Sequence, residues 1–506
     1  MSEDGNGVLD GYDFDGEVVP LGRDTATGKH VQFPLGMANR HGTVTGATGT
    51  GKSRTIQSLA EWFSQNGVSV LMADGKGDMS GLACPGQLSG KSLDRAHELY
   101  QFDWFEDREW TGTDLPVEFL ALGGNGIGIP VRVPIGSFGY KSLAKLAELS
   151  PAQTLALGAA FLASKNDAEQ METVSDLSAF LRGVGDDPDS GVSESVVNRV
   201  LNKFAILEEN TPGLYGGPGF DVMDLINVDE YDGFGRVSII DSSELSDAPE
   251  VMTTFLISVM ETLADQLPQV GDAPVPKLVI FLDEAHLIFE DAPKEFIRSF
   301  VRTIKRLRSN GVGVFLCSQS ASDIPSAVLS QCANRIQHAL RANTPEELSK
   351  ITRTVKTFPI SKVYDIYTEI TTMGTGVALV CLLDDNGIPT PPSVCKMYVP
   401  RSSMEPMEDY EIQSYVSASE LAKKYQRMER EHAEKKEQAR RITPPVIIPR
   451  QDPSGVAESA REDNPVSRLL GGLLSRQNGS QRVSEPVMVG STDGGGYDDT
   501  EDDPWE

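Results

Sequence analysis

Eight residues, Gly46-Ala47-Thr48-Gly49-Thr50-Gly51-Lys52-Ser53, constrain this chain more than any other feature of its sequence. The run Thr43 to Thr45 before them reads as a strand. Ser53 to Ser64 after them reads as a helix through Ile56, Leu59, Ala60 and Phe63. The pattern GxxxxGK[ST] needs that context: glycines let backbone N–H groups wrap an anion at a helix N-terminus, and the lysine supplies a fixed positive charge. A strand, a glycine loop and a helix in this order commit the chain to an α/β architecture whose parallel strands present their carboxyl ends to a ligand.

The rest of the chain keeps to that architecture. Val68-Ser-Val-Leu-Met-Ala-Asp74 is a second strand ending on an acid, followed by Gly75-Lys76-Gly77-Asp78. Arg236 to Asp241, Lys277 to Asp283 and Val312 to Ser318 alternate with helices near Pro249 to Gln266 and Lys294 to Arg308. Near-continuous apolar strands of this kind suit a parallel sheet covered on both faces. Later strands are expected at Arg335 to Leu340 and Gly376 to Leu382, with Pro389 to Pro392 and Pro400 marking the edge of the core.

The predicted organisation is a disordered acidic lead over 1–15, a catalytic core over 16–400, a charged helix over 405–441, and a disordered Pro/Gly-rich and acidic tail over 442–506. Within the core, Gly16 to Phe33 reads as a small hairpin covering the ligand site, and 115–235 as a mostly helical insertion. In the tail, Ser467 to Arg476 is a candidate docking segment for a protein partner.

Composition narrows the classes. With 74 acidic and 45 basic residues the formal net charge is -29, which repels phosphate backbones at long range, so any DNA contact has to be local, as in a pore. The five cysteines, Cys84, Cys317, Cys332, Cys381 and Cys395, form no CxxC pair and read as small buried apolar residues of a reducing compartment. No apolar run approaches the roughly 20 residues of a spanning helix, and Met1-Ser2-Glu3-Asp4 is acidic. A cytoplasmic location without membrane contact is expected.

The chemistry follows from what the strands deliver. Residues 46 to 53 should hold the phosphates of ATP, with Lys52 neutralising the β- and γ-phosphates and Ser53 ligating Mg2+. Val279-Ile-Phe-Leu-Asp283-Glu284 carries Asp283 to the magnesium shell and sets Glu284 beside it to polarise water, which favours hydrolysis over transfer to an acceptor. His286 reads as a loop or packing residue. Gln319, at the end of the next strand, is placed to bond the γ-phosphate or the water; an exposed loop glutamine is the plain alternative. Arg298, Arg302, Lys305, Arg306 and Arg308 make one basic helix. It is either a solvated face or the source of an arginine acting on a neighbouring subunit, with Arg308 favoured and Arg335 and Arg341 as alternates.

Taken in order, Gly46 to Ser53, Ala73-Asp-Gly-Lys-Gly-Asp78, Phe281-Leu-Asp-Glu-Ala-His-Leu287, Gly311-Val-Gly313 through Gln319, Asp323-Ile-Pro325 and Asn334 to Arg341 resemble the HerA/FtsK superfamily, and within it the bacterial HerA-like C-terminal domain proteins of the YjgR-like group. The similarity spans about 16 to 400, including Leu149-Ser-Pro-Ala-Gln-Thr154. It implies a RecA-like ASCE P-loop NTPase, an ATP- and Mg2+-dependent helicase-like motor. Such motors often form a homo-hexameric ring that moves double-stranded DNA through a central pore. It also implies a strand-end glutamine and an upstream arginine, the positions held by Gln319 and Arg308. Two features depart from the pattern: no room precedes Gly46 for the barrel of archaeal HerA, and Asp74-Gly75-Lys76 stands where relatives usually carry Asp-Val-Lys. A nucleotide-switched scaffold that assembles protein partners is the other reading open at this stage.

Overall fold

The computed structural model describes residues 18–442 apart from 76, 101–110, 125, 165–170, 212, 242–248, 272, 291 and 293. The expected lead over 1–15 and nearly all of the tail over 442–506 lie outside the described residues.

Twelve strands form one sheet. In chain order they are β1 (Val18–Asp24), β2 (His30–Pro34), β3 (Gly42–Thr45), β4 (Ser69–Asp74), β5 (Val117–Leu122), β6 (Ile129–Val131), β7 (Val237–Asp241), β8 (Leu278–Leu282), β9 (Val312–Ser318), β10 (Asn334–His338), β11 (Val377–Cys381) and β12 (Ser393–Met397). Their spatial order is β2-β1-β12-β11-β10-β3-β9-β8-β4-β7-β5-β6. From β10 to β6 every pairing is parallel; β10–β11, β11–β12, β12–β1 and β1–β2 are antiparallel. The strands β3, β4, β8 and β9 are buried along their whole length, as their unbroken apolar or small-residue sequences require of a doubly covered sheet.

Helices α1 (Lys52–Gln65), α2 (Gly90–Tyr100), α3 (Tyr140–Leu146), α4 (Pro151–Ala163), α5 (Val174–Asp186), α6 (Glu194–Asn210), α7 (Pro249–Gln266), α8 (His286–Phe289), α9 (Lys294–Ser309), α10 (Ser326–Leu329), α11 (Pro345–Val355), α12 (Ile366–Thr372), α13 (Asp409–Ala418) and α14 (Glu420–Ile442) complete the layers. Several begin on local signals. Ser150 and Gln153 form a capping box ahead of α4 with Pro151 in its first turn, and Thr344 and Glu347 do the same for α11.

Three expectations change. Residues 115–235 do hold the helices α3 to α6 and a strand, β6, where Pro130 to Pro134 suggests one, but β5 precedes them unannounced and both strands belong to the central sheet. β5 escapes notice because Glu118 interrupts its apolar run; burial is tolerated because Arg236 pairs with Glu118 at 2.7 Å and the Ser419 hydroxyl donates to it at 2.6 Å. The early hairpin forms, yet it extends the sheet through β12 and covers α1 rather than the glycine loop. Phe33 of β2 meets Phe63 of α1 at 6.0 Å and Phe315 of β9 at 6.1 Å between ring centroids. The single charged helix expected over 405–441 is two, α13 and α14, divided at Ser419.

Cys317, Cys332, Cys381 and Cys395 are buried thiols and Cys84 is half-buried. Among the described residues no helix is long and apolar enough to cross a membrane.

Candidate nucleotide site

The turn from β3 to α1 is held by backbone on three sides. Gly46 N–H donates to Ser318 O of β9 and Ala47 N–H to Ala339 O beyond β10. From behind, Gly376 N–H donates to Thr50 O at 2.8 Å, and Thr375 Oγ1 to Gly49 O at 3.2 Å. Gly51 precedes α1 at φ 106°, a left-handed value that favours glycine, and a Cβ there would stand 2.9 Å from Gly376 N. No side chain caps α1, so its first turn faces the loop's concavity without an internal competitor for an anion.

Three charged groups converge in front of that turn. Lys52, at the start of α1 and only 6% exposed, holds its Nζ 3.7 Å from Asp283 Oδ1 and 3.8 Å from Glu284 Oε1. Both carboxylates follow β8, and Ala285 N–H donates to Cys317 O at 2.8 Å, tying the turn that carries them to β9. Glu284 adopts φ 46°, a left-handed conformation rare for a residue with a side chain. His286 Nδ1 lies 3.4 Å from Glu284 Oε2 and 3.4 Å from Ser318 Oγ, flanking the carboxylate.

Gln319 directly follows Ser318, which pairs with Thr45 at the mouth of the loop, so the exposed glutamine stands at the same edge of the sheet. The strand bearing the loop, β3, is separated from the acid-bearing β8 by β9, the strand that ends on Gln319. Arg308 lies elsewhere. It is exposed at the far end of α9, where its carbonyl is 3.4 Å from Asn39 Nδ2 and the opposite end of β9 begins, across the sheet from its own Lys52. Arg335 donates to Thr357 O, and Arg341 donates to Leu340 O, Thr371 O and Met373 O, so both alternates are engaged within the chain.

Two contributors were not singled out in the sequence. His338 is fully buried behind the loop, with Nε2 2.9 Å from Thr55 Oγ1; desolvation pulls its pKa down to about 4, so the ring is neutral. Arg95 of α2 donates to Gly376 O at 3.0 Å and fixes the strut behind the loop. His338 lies inside the quoted string Asn334 to Arg341, whereas Arg95 is separated from Gly376 by 281 positions and is found only in the fold.

The donor set suits a hard, phosphate-bound cation: Ser53 and Asp283 offer oxygen atoms, and Mg2+ is commonly held by one or two protein oxygens plus substrate phosphates. Among the described residues no group of three or more His, Cys, Asp or Glu side chains is placed to hold a metal ion on its own.

Residues 20–482 match the family described as Helicase HerA-like C-terminal. The sequence matches no curated protein. Similar solved structures include the bacterial conjugative coupling protein TrwBdeltaN70, at 15% identity over 80% of this chain and 100% of that one with TM-score 0.48. The plasmid coupling protein TrwB in complex with ADP and Mg2+ is 15% identical over 76% of this chain and 92% of that one, TM-score 0.48. VirB4 of Thermoanaerobacter pseudethanolicus is 17% identical over 77% of this chain and 98% of that one, TM-score 0.49.

Proposed function

The chain belongs to the helicase HerA-like C-terminal family, and from that premise we propose that it hydrolyses Mg-ATP as a ring-forming motor acting on double-stranded DNA. The observation that carries the hydrolytic part is the meeting of Lys52, Asp283 and Glu284 at the mouth of the glycine loop. Residues 46 to 53 bind the triphosphate, with backbone N–H groups and Lys52 facing its charge. Ser53 and Asp283 would hold Mg2+, which would neutralise charge on the phosphates when bound. Glu284 orients and deprotonates the attacking water, and Gln319 positions that water or the terminal phosphate from the neighbouring strand.

Arg308, remote from its own site, serves the site of the next subunit in a homo-hexamer, which makes turnover depend on assembly. Residues 16–400 are the motor domain, with 405–441 packed on it and Ser467 to Arg476 available to a protein partner; the protein works in the cytoplasm. The net charge of -29 supports a second reading, a nucleotide-switched scaffold that assembles proteins without moving DNA.

Glu284→Gln is expected to keep nucleotide binding and lose turnover by roughly 10²- to 10⁴-fold; parental ATPase activity in that variant sinks the assignment. Measuring ATPase rate with and without duplex DNA, alongside mass by light scattering, separates the two readings. Stimulation with a ring mass supports the motor, and indifference to DNA supports the scaffold.

A further inference from the structure

On α9 the acidic protein exposes a basic helix face. Lys294, Arg298, Arg302 and Lys305 are all exposed and, at spacings of four, four and three, fall on one stripe. Beside it, half-buried Ile297 and Val301 meet exposed Ala327 of α10, and with Arg298 and Arg302 they line a shallow groove of about 480 Å³. An apolar floor of side-chain size between two guanidinium groups calls for an aromatic side chain flanked by carboxylates.

The same chain contains that ligand. Asp498-Asp499-Thr500-Glu501-Asp502-Asp503-Pro504-Trp505-Glu506 carries six acids, no base and one large aromatic residue. Like charges would otherwise hold such a segment away from a body of net charge -29, and the stripe on α9 offers a local exception. Length permits the contact. α14 packs beside β6 and α9 beside β9, five strand spacings apart in the sheet, or roughly 24 Å. A chain of 56 residues, the number from Ile442 to Asp498, has random-coil dimensions of roughly 40 Å, more than that gap.

We propose that residues 498–506 dock on this groove of their own chain, with the Trp505 indole over Ile297, Val301 and Ala327 and the flanking carboxylates on Arg298 and Arg302. Its consequence, which rests on the reading of Arg308 as an intersubunit residue, is that the segment and a neighbouring subunit compete for one helix. The experiment below reads occupancy and not turnover, so its failure leaves the motor reading standing.

Full-length protein carrying p-benzoylphenylalanine in place of Trp505 is irradiated and the products mapped. The expected product is an intrachain link to residues 294–305 or to α10, unchanged on dilution. It should weaken about tenfold when Arg298→Glu and Arg302→Glu are combined, at an unchanged melting temperature. It should return when Asp499, Glu501, Asp502 and Asp503 are replaced by Lys in that background. Full-length Trp505→Ala, which leaves α9 untouched, should speed hydrogen exchange in α9. Links to another copy, links elsewhere on the chain, links indifferent to the charge reversal, or exchange unaltered by Trp505→Ala each overturn the proposal.

Discussion

Glu284 combines a left-handed backbone with a largely buried carboxylate beside Lys52. Such a conformation costs on the order of 1–3 kcal/mol and persists where surrounding contacts over-determine it, here the Ala285–Cys317 bond and the charge of Lys52. Glu284→Gly should therefore raise stability in urea unfolding by about 1 kcal/mol while removing turnover; a destabilised variant would show that the turn is not strained. Two buried rings add a pH dependence. His41 Nε2 donates to Ile304 O and its Nδ1 accepts from Val314 N–H, and His338 faces Thr55; burial brings both pKa values from 6.5 to about 4. Between those values the unfolded chain binds protons that the folded chain refuses. Stability is thus fully present above about pH 6.5 and is lost as pH falls toward 4, by up to about 3 kcal/mol per ring. Urea midpoints at several pH values should show this slope, and His338→Gln should flatten it.

At the scale of elements, the least expected tie is between α1 and the segment leaving β12. Glu61, 1% exposed, accepts from Arg401 N–H, Ser402 N–H and Ser402 Oγ, while Gln57 Nε2 donates to Ser402 Oγ and Ser403 O. Desolvation raises the Glu61 pKa even against these donors, so the carboxylate is held by geometry at some electrostatic cost. Glu61→Ala should lose roughly 2–4 kcal/mol, because several buried donors are left without their acceptor, and should speed hydrogen exchange in α13 and α14. Exchange confined to α1 would refute the coupling. The strands β4, β8 and β9 were legible because burial on both faces writes itself as near-continuous apolar runs, and β3, Gly-Thr-Val-Thr, because the glycine loop follows it. Glu118 hid β5 since its partners, Arg236 and Ser419, are more than a hundred positions away. Comparable distances hid Glu61 and Arg95. The reach of β2 over α1 was hidden for another reason: sequence periodicity reports which face is apolar, not which element will cover it.

Across the whole molecule, the parallel half of the sheet aligns β3, β9 and β8 so that Lys52, Gln319, Asp283 and Glu284 share one edge, and Arg308 stands at the other. A ring assembled from such subunits predicts complementation. Arg308→Ala and Lys52→Ala should each be nearly inactive alone, yet mixtures should recover measurable ATPase activity, because some intact sites then face an intact arginine. Strictly additive, inactive mixtures would show that Arg308 does not act in trans.

The antiparallel flank gives Gly51 and Gly376 a further meaning. Where they meet, main chain rests on main chain, with no rotamer between them to absorb a displacement. The loop's position is therefore tied to that of the residue just before β11 by backbone alone. That flank is thus a main-chain buttress for the glycine loop, with nothing but peptide groups between the two.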